Sequence, residues 1–225
     1  MSLVGFCLLA LPQILILPAS GHFASDISTA CLALVPLLLA MAGRLPIPLA
    51  VTGLAGVLFT AGRALDVPPL PQLPWLLLPF AAAVVMAGGL VMAERQIRMV
   101  SIAELLFVQC AGSALLLGLA SWRMEPQFLM WSATAAAGLT AAAVVTVLGA
   151  YAGFYWLLRQ AGAARASALQ WSQPLVIALE SATLYRVHLA WTEIAGAALI
   201  VGACMAVFRW HGEEDGGVHL QITQG

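Results

Sequence analysis

The stretch ASALQWSQPLVIALE, residues 166–180, repeats the plan of STACLALVPLLLAMA, residues 28–42, so that Pro174 falls on Pro36 at an offset of 138 residues. A second match follows each copy. Leu54 to Gly62 and Ile194 to Gly202 both set small apolar residues between glycines, Gly56 and Gly62 in the first and Gly196 and Gly202 in the second, at an offset of 140. Two segments matched in order, with almost constant spacing, read as an internal duplication of the kind that builds membrane proteins from repeats.

Both copies lie in a chain too apolar to be covered by water. Of its 225 residues, 62% are hydrophobic and only 8% charged, where a soluble domain carries about 25% charged residues. Mean hydropathy is +0.98, so lipid rather than water must cover most of the exterior. A net charge of -1 without a single Lys excludes a nucleic-acid partner. Cys7, Cys31, Cys110 and Cys204 sit in apolar runs with no paired spacing, which excludes a disulfide scaffold and leaves them as packing residues.

A helix needs about 20 mostly apolar residues to cross the hydrocarbon core. Eight runs qualify: Leu3 to Ala19, Ile27 to Gly43, Ile47 to Leu65, Trp75 to Ala93, Val100 to Ser121, Leu129 to Leu158, Ala166 to Tyr185 and Trp191 to Phe208. Strand alternation is missing, and lipid-exposed backbone must bond to itself, so the expected fold is an all-α bundle of about eight transmembrane helices. The first run could also be read as a secretory signal, but nothing ionisable precedes His22, so the basic leader of a signal is absent.

Six of the nine Arg (Arg44, Arg95, Arg98, Arg159, Arg165 and Arg209) follow the second, fourth, sixth and eighth runs; Arg63, Arg123 and Arg186 follow the others. The asymmetry puts the first set, and both termini, in the cytoplasm of an inner-membrane protein. The second run then descends while the seventh ascends, so the two copies are inverted. Residues 1–66 read as a first half with three helices, 67–210 as a second half with five, and 211–225, with Glu213, Glu214 and Asp215, as a solvated cytoplasmic tail.

Polar residues inside such runs are costly and mark candidate sites. Gln170, Gln173, Ile177 and Glu180 follow helical spacing on one stripe beside Pro174. Two readings stay open. Either the stripe lines a cavity, with Pro174 freeing a backbone carbonyl, or the two Gln are interhelical glue and Glu180 is neutral or pairs with Arg186. Gln109 is deep enough in the fifth run to complete a cavity. Glu104 is expected to pair with Arg95 or Arg98 at the interface, and Glu193 to favour the start of the eighth helix. Gly56, Gly62, Gly196 and Gly202 should let helices approach closely, and Pro36 and Pro174 should act as hinges. His22 and Asp26 are four apart but have no third ligand nearby, and no hydrolase, protease or nucleotide-binding signature occurs. No metal, cofactor or enzymatic activity is expected.

The chain resembles the EamA-type branch of the drug/metabolite transporter superfamily. The resemblance is carried by residues 164–202, ARASALQWSQPLVIALESATLYRVHLAWTEIAGAALIVG, by Ala82 to Leu119 with Arg95 and Gln109, and by Ser25 to Gly62 as the earlier copy. It implies a secondary carrier of small organic metabolites (amino acids, amines or drug-like compounds) working by alternating access; the candidate substrate-binding residues of this sequence are Gln109, Gln170, Trp171, Gln173 and Glu180. Two departures stand out. The family usually has ten helices, and the pair that would precede the first run is missing. The seventh helix usually runs into a Gly-Glu, where this sequence has Tyr185, Arg186 and Val187. The missing pair motivates two other expectations: a truncated relative that is an assembly partner or has no transport activity, or a homodimer in which a neighbour supplies the absent wall.

Overall fold

The computed structural model of the protein describes residues 8, 10–20, 22, 25–62, 70–124, 132–184, 186 and 188–210. The start of the first run, Tyr185 and Val187, and the acidic tail lie outside the described residues. Within them, every run is helical. The first run is α1 (Leu11–Ser20); the second is split into α2 (Ser25–Leu32) and α3 (Val35–Met41); the third is α4 (Ile47–Ala61). A 3-10 segment, Leu70–Leu76, leads into α5 (Leu77–Gln96), followed by α6 (Ile102–Met124). The sixth run joins α7 (Ala133–Val144), a π-helical segment (Val145–Tyr151) and α8 (Ala152–Ser167). The seventh passes through a 3-10 turn, Ala168–Trp171, into α9 (Ser172–Leu184), and the eighth is α10 (Trp191–Arg209). At 1.5 Å per residue, the 23 residues of α6 reach about 35 Å and the 19 of α10 about 28 Å, enough to cross the hydrocarbon core. The fold is that of a multi-pass membrane protein.

Helix ends are written in local chemistry. Ser101 and Glu104 form a reciprocal capping box: the Ser101 N–H donates to the Glu104 carboxylate at 2.9 Å, and the Glu104 N–H donates to the Ser101 hydroxyl at 3.2 Å. The carboxylate expected to pair with Arg95 or Arg98 is thus spent on starting α6. Glu193 does what its position suggested, accepting the Ala190 N–H at 2.7 Å at the head of α10. Within α8, Gly162 has φ +79° and breaks the helix. A side chain would be strained in that left-handed conformation, and a Cβ there would sit 2.9 Å from the Glu94 Oε1. The sixth run therefore turns into the seventh at a single residue.

This turn brings four helix ends together. Arg44, Glu94, Arg98, Arg159, Arg165 and Trp210, from the ends of the second, fourth, sixth and eighth runs, border one polar cavity of about 180 Å³. Arg44 and Glu94 meet at 2.5 Å, with side chains 30% and 18% exposed, and Arg165 Nη2 donates to the Trp210 carbonyl at 2.7 Å. At the other ends, His22 stacks on Trp75 with ring centroids 4.0 Å apart. Even-numbered runs thus finish together, as up-and-down crossing requires. The Arg44–Glu94 pair is intermediate in burial, and its coupling should fall between the exposed and buried cases, about 1–2 kcal/mol. A double-mutant cycle on Arg44→Gln and Glu94→Gln, read as unfolding free energy in detergent, should return that coupling; additive single effects would show that the pair contributes nothing.

The core is shared between the two copies. Ala33, Ala40, Ala50 and Val57 pack with Ala168, Trp171, Ile200, Ala203 and Val207, and Val35 and Leu39 pack with Ala83, Leu90, Leu105 and Tyr155. Outward, Phe107 and Val145 are exposed and α7 buries none of its described residues, as surfaces that face acyl chains should be.

A cavity between two broken helices

The duplicated segments meet face to face. A Cβ added to Gly56 would fall 2.8 Å from the Ile200 side chain and 2.9 Å from the Gly196 carbonyl; one added to Gly196 would meet the Thr60 side chain, the Thr60 nitrogen at 2.6 Å and the Gly56 carbonyl at 2.7 Å. These contacts are reciprocal, because Gly56 and Thr60 stand to Gly196 and Ile200 at the offset of 140. Leu49, near the start of α4, borders the same hollow as Met205 and Arg209 near the end of α10, so the two helices run antiparallel. A reciprocal contact between antiparallel copies is what a two-fold relation within the membrane plane produces. Gly62 and Gly202 take no part in it. Both are exposed, and a Cβ on Gly202 would meet nothing within 4 Å.

The second matched pair also meets its own copy. Trp171 Nε1 donates to the Ala33 carbonyl at 3.2 Å, across 138 residues of sequence, the same offset that aligns Pro36 with Pro174. Its ring lies on Gly53, where a Cβ would come within 2.5 Å of it. Trp171 is fully buried here and does not border the cavity. It fastens α4, the second run and the seventh together.

Each of these helices is broken just before its proline. Pro36 has no N–H for the Leu32 carbonyl, and Pro174 none for that of Gln170; each ring also crowds the carbonyl four residues back. Accordingly α2 stops at Leu32 and two turn residues follow, while the seventh run passes through its 3-10 turn at Ala168–Trp171. Leu32 and Gln170, equivalent in the two copies, both border a cavity of about 370 Å³. Interrupted helices in corresponding positions of inverted repeats are the recurring frame of a midplane binding site.

Six of the eight runs contribute to this cavity. Gln13 comes from α1, Met86 from α5, Gln109 from α6, Tyr151 from the π-helical segment, Tyr155 from α8, and Gln173 from α9. The Tyr155 hydroxyl donates to the Gln109 Oε1. Gln170 directs its Nε2 toward the Met86 sulfur at 3.9 Å, and its Oε1 is buried without a hydrogen-bond partner. Of the residues singled out in the sequence, Gln109, Gln170 and Gln173 therefore converge, Pro36 and Pro174 sit at the two breaks, and Ile177 and Glu180 are exposed and outside the cavity. Missed were Gln13, Thr146, Tyr151, Tyr155 and Ser172. The two Tyr carried a usable signal: two of only three in the chain, four residues apart in an apolar run, where each hydroxyl needs a partner.

No curated protein matches the sequence. A solved structure, titled only "Crystal structure of protein", superposes on 92% of this chain and 75% of its own length with a TM-score of 0.77 at 19% identity, which is a likeness of fold. Residues 73–209, more than half of the chain, match the EamA-like transporter family. The duplicated inverted helices, the cavity at their breaks and this match agree, and the chain belongs to the EamA-like transporter family, a family of membrane transporters of the drug/metabolite type.

Proposed function

We propose that the protein is an inner-membrane carrier that moves small organic metabolites by alternating access, with both termini in the cytoplasm. The observation that carries this reading is the cavity bordered by Leu32 and Gln170 at the equivalent breaks of two oppositely running copies. In it, Gln109, Gln170 and Gln173 bind the solute. The breaks beside Pro36 and Pro174 are where the second and seventh runs bend, because a helix missing a hydrogen bond deforms at that point. The tight α4–α10 crossing at Gly56 and Gly196 is the pivot. The clustering of Arg44, Arg98, Arg159 and Arg165 at one end supports the orientation.

The energy source is a solute or ion gradient, since no phosphate-binding loop exists to use ATP. In reconstituted vesicles, at least one member of a broad panel of amino acids, amines and related metabolites should exchange several-fold faster than in protein-free vesicles. No flux above the empty control across the panel would overturn the carrier reading.

A further inference from the structure

We infer that the solute bound in this cavity carries no net charge and presents an N–H or O–H donor to Gln170. The inference rests on the carrier reading and goes on to name the substrate class. Among the described residues that border the cavity there is no Asp, Glu, Lys, Arg or His. Glu180, the one carboxylate on α9, is exposed outside it. An ionised group would enter a membrane-embedded space without a counter-charge, and the insertion cost of such a charge corresponds to roughly a hundredfold in binding.

The polar groups are neutral and partly committed already. Ser172 Oγ donates to the Leu169 carbonyl at 2.6 Å, and the Tyr155 hydroxyl is held by Gln109. Gln170 is different. It is 8% exposed, it borders the cavity, and its Oε1 is the buried acceptor left over. A thioether can only accept, so Met86 fixes the amide with its nitrogen toward the sulfur and its oxygen free. A buried acceptor without a partner is costly; this oxygen has almost no accessible surface, so a small shift of the Gln170 side chain brings it to the cavity, where a donor on the solute satisfies it. Phe154, Leu169 and Met86 supply the apolar wall for the rest of the molecule. The volume of about 370 Å³ equals about a dozen waters at liquid density, so the solute is small.

Three probes with a common aromatic body separate the possibilities: N-acetylphenylalaninamide (neutral), N-acetylphenylalanine (anion) and phenylethylammonium (cation), titrated calorimetrically into the purified full chain. The neutral probe should bind at least tenfold more tightly than either ion. Gln170→Met should weaken it about three- to tenfold, the loss expected for one hydrogen bond, while Gln170→Asn, which keeps the amide, should lose less. Thermal midpoints of both variants show whether they remain folded. An ion binding as tightly as the neutral probe, no binding of the neutral probe, or an unchanged affinity in folded Gln170→Met would overturn the inference. Exchange of charged solutes in vesicles would overturn it while leaving the carrier reading intact, whereas absence of all exchange removes the carrier reading itself.

Discussion

Gly196→Ala is expected to lower the stability of the protein by about 2–3 kcal/mol, the upper part of the range for forcing atoms into a filled contact. The new Cβ would sit 2.6 Å from the Thr60 nitrogen and 2.7 Å from the Gly56 carbonyl oxygen, both backbone atoms, so no side chain can swing aside. The helices must separate instead, and the separation also breaks the mirrored contact of Gly56 with Ile200. Gly202→Ala is the matched control. It lies on the same helix, and its Cβ meets nothing within 4 Å, so its midpoint should not fall. The comparison needs only thermal unfolding of the two variants in detergent. Equal midpoints would show that the crossing is looser than the contacts require.

Trp171→Ala is expected to cost more, about 3–5 kcal/mol, as large-to-small changes at fully buried aromatic positions do. The indole fills the space above Gly53, and its N–H satisfies the Ala33 carbonyl at the point where the second run breaks. Alanine leaves both a void and a freed carbonyl. Trp171→Phe keeps most of the volume and should lose about 1 kcal/mol for the missing hydrogen bond. Chemical denaturation of both variants separates the two contributions. If the phenylalanine variant were as unstable as the alanine variant, the hydrogen bond rather than the packing would dominate.

The fold was legible because the bilayer makes it so. Runs such as Val100 to Ser121 can only be helices in lipid, and the match of Pro36 with Pro174 marks the two broken helices in the sequence itself. The crossing at Gly56 and Gly196 was half legible. Residues six apart lie about 240° around a helix, so Gly62 and Gly202 could not share the contact face. Thr60, four away from Gly56, does share it.

The same geometry explains Glu180. Glu180 lies seven residues, about 10 Å, beyond Gln173 along α9, so a stripe of constant period keeps it near the same face but carries it two turns past Gln173, where the cavity does not reach. The π-helical segment Val145–Tyr151 shifts the register of the sixth run, so the face it turns to the cavity was not legible from a continuous helical period, although the four-residue spacing of Tyr151 and Tyr155 was. Glu104 was misread for a simpler reason: a carboxylate three residues after a serine caps its own helix before it reaches for an arginine across a loop.

A thiol at Gln173 asks whether this space opens to both sides of the membrane. With the four native cysteines replaced and Gln173→Cys introduced, a membrane-impermeant thiol reagent is applied to one face or the other of oriented vesicles. Modification from both faces is expected, since the cavity would open to each in turn. Modification from neither face, or from a single face under every condition, would contradict a carrier built on two inverted copies.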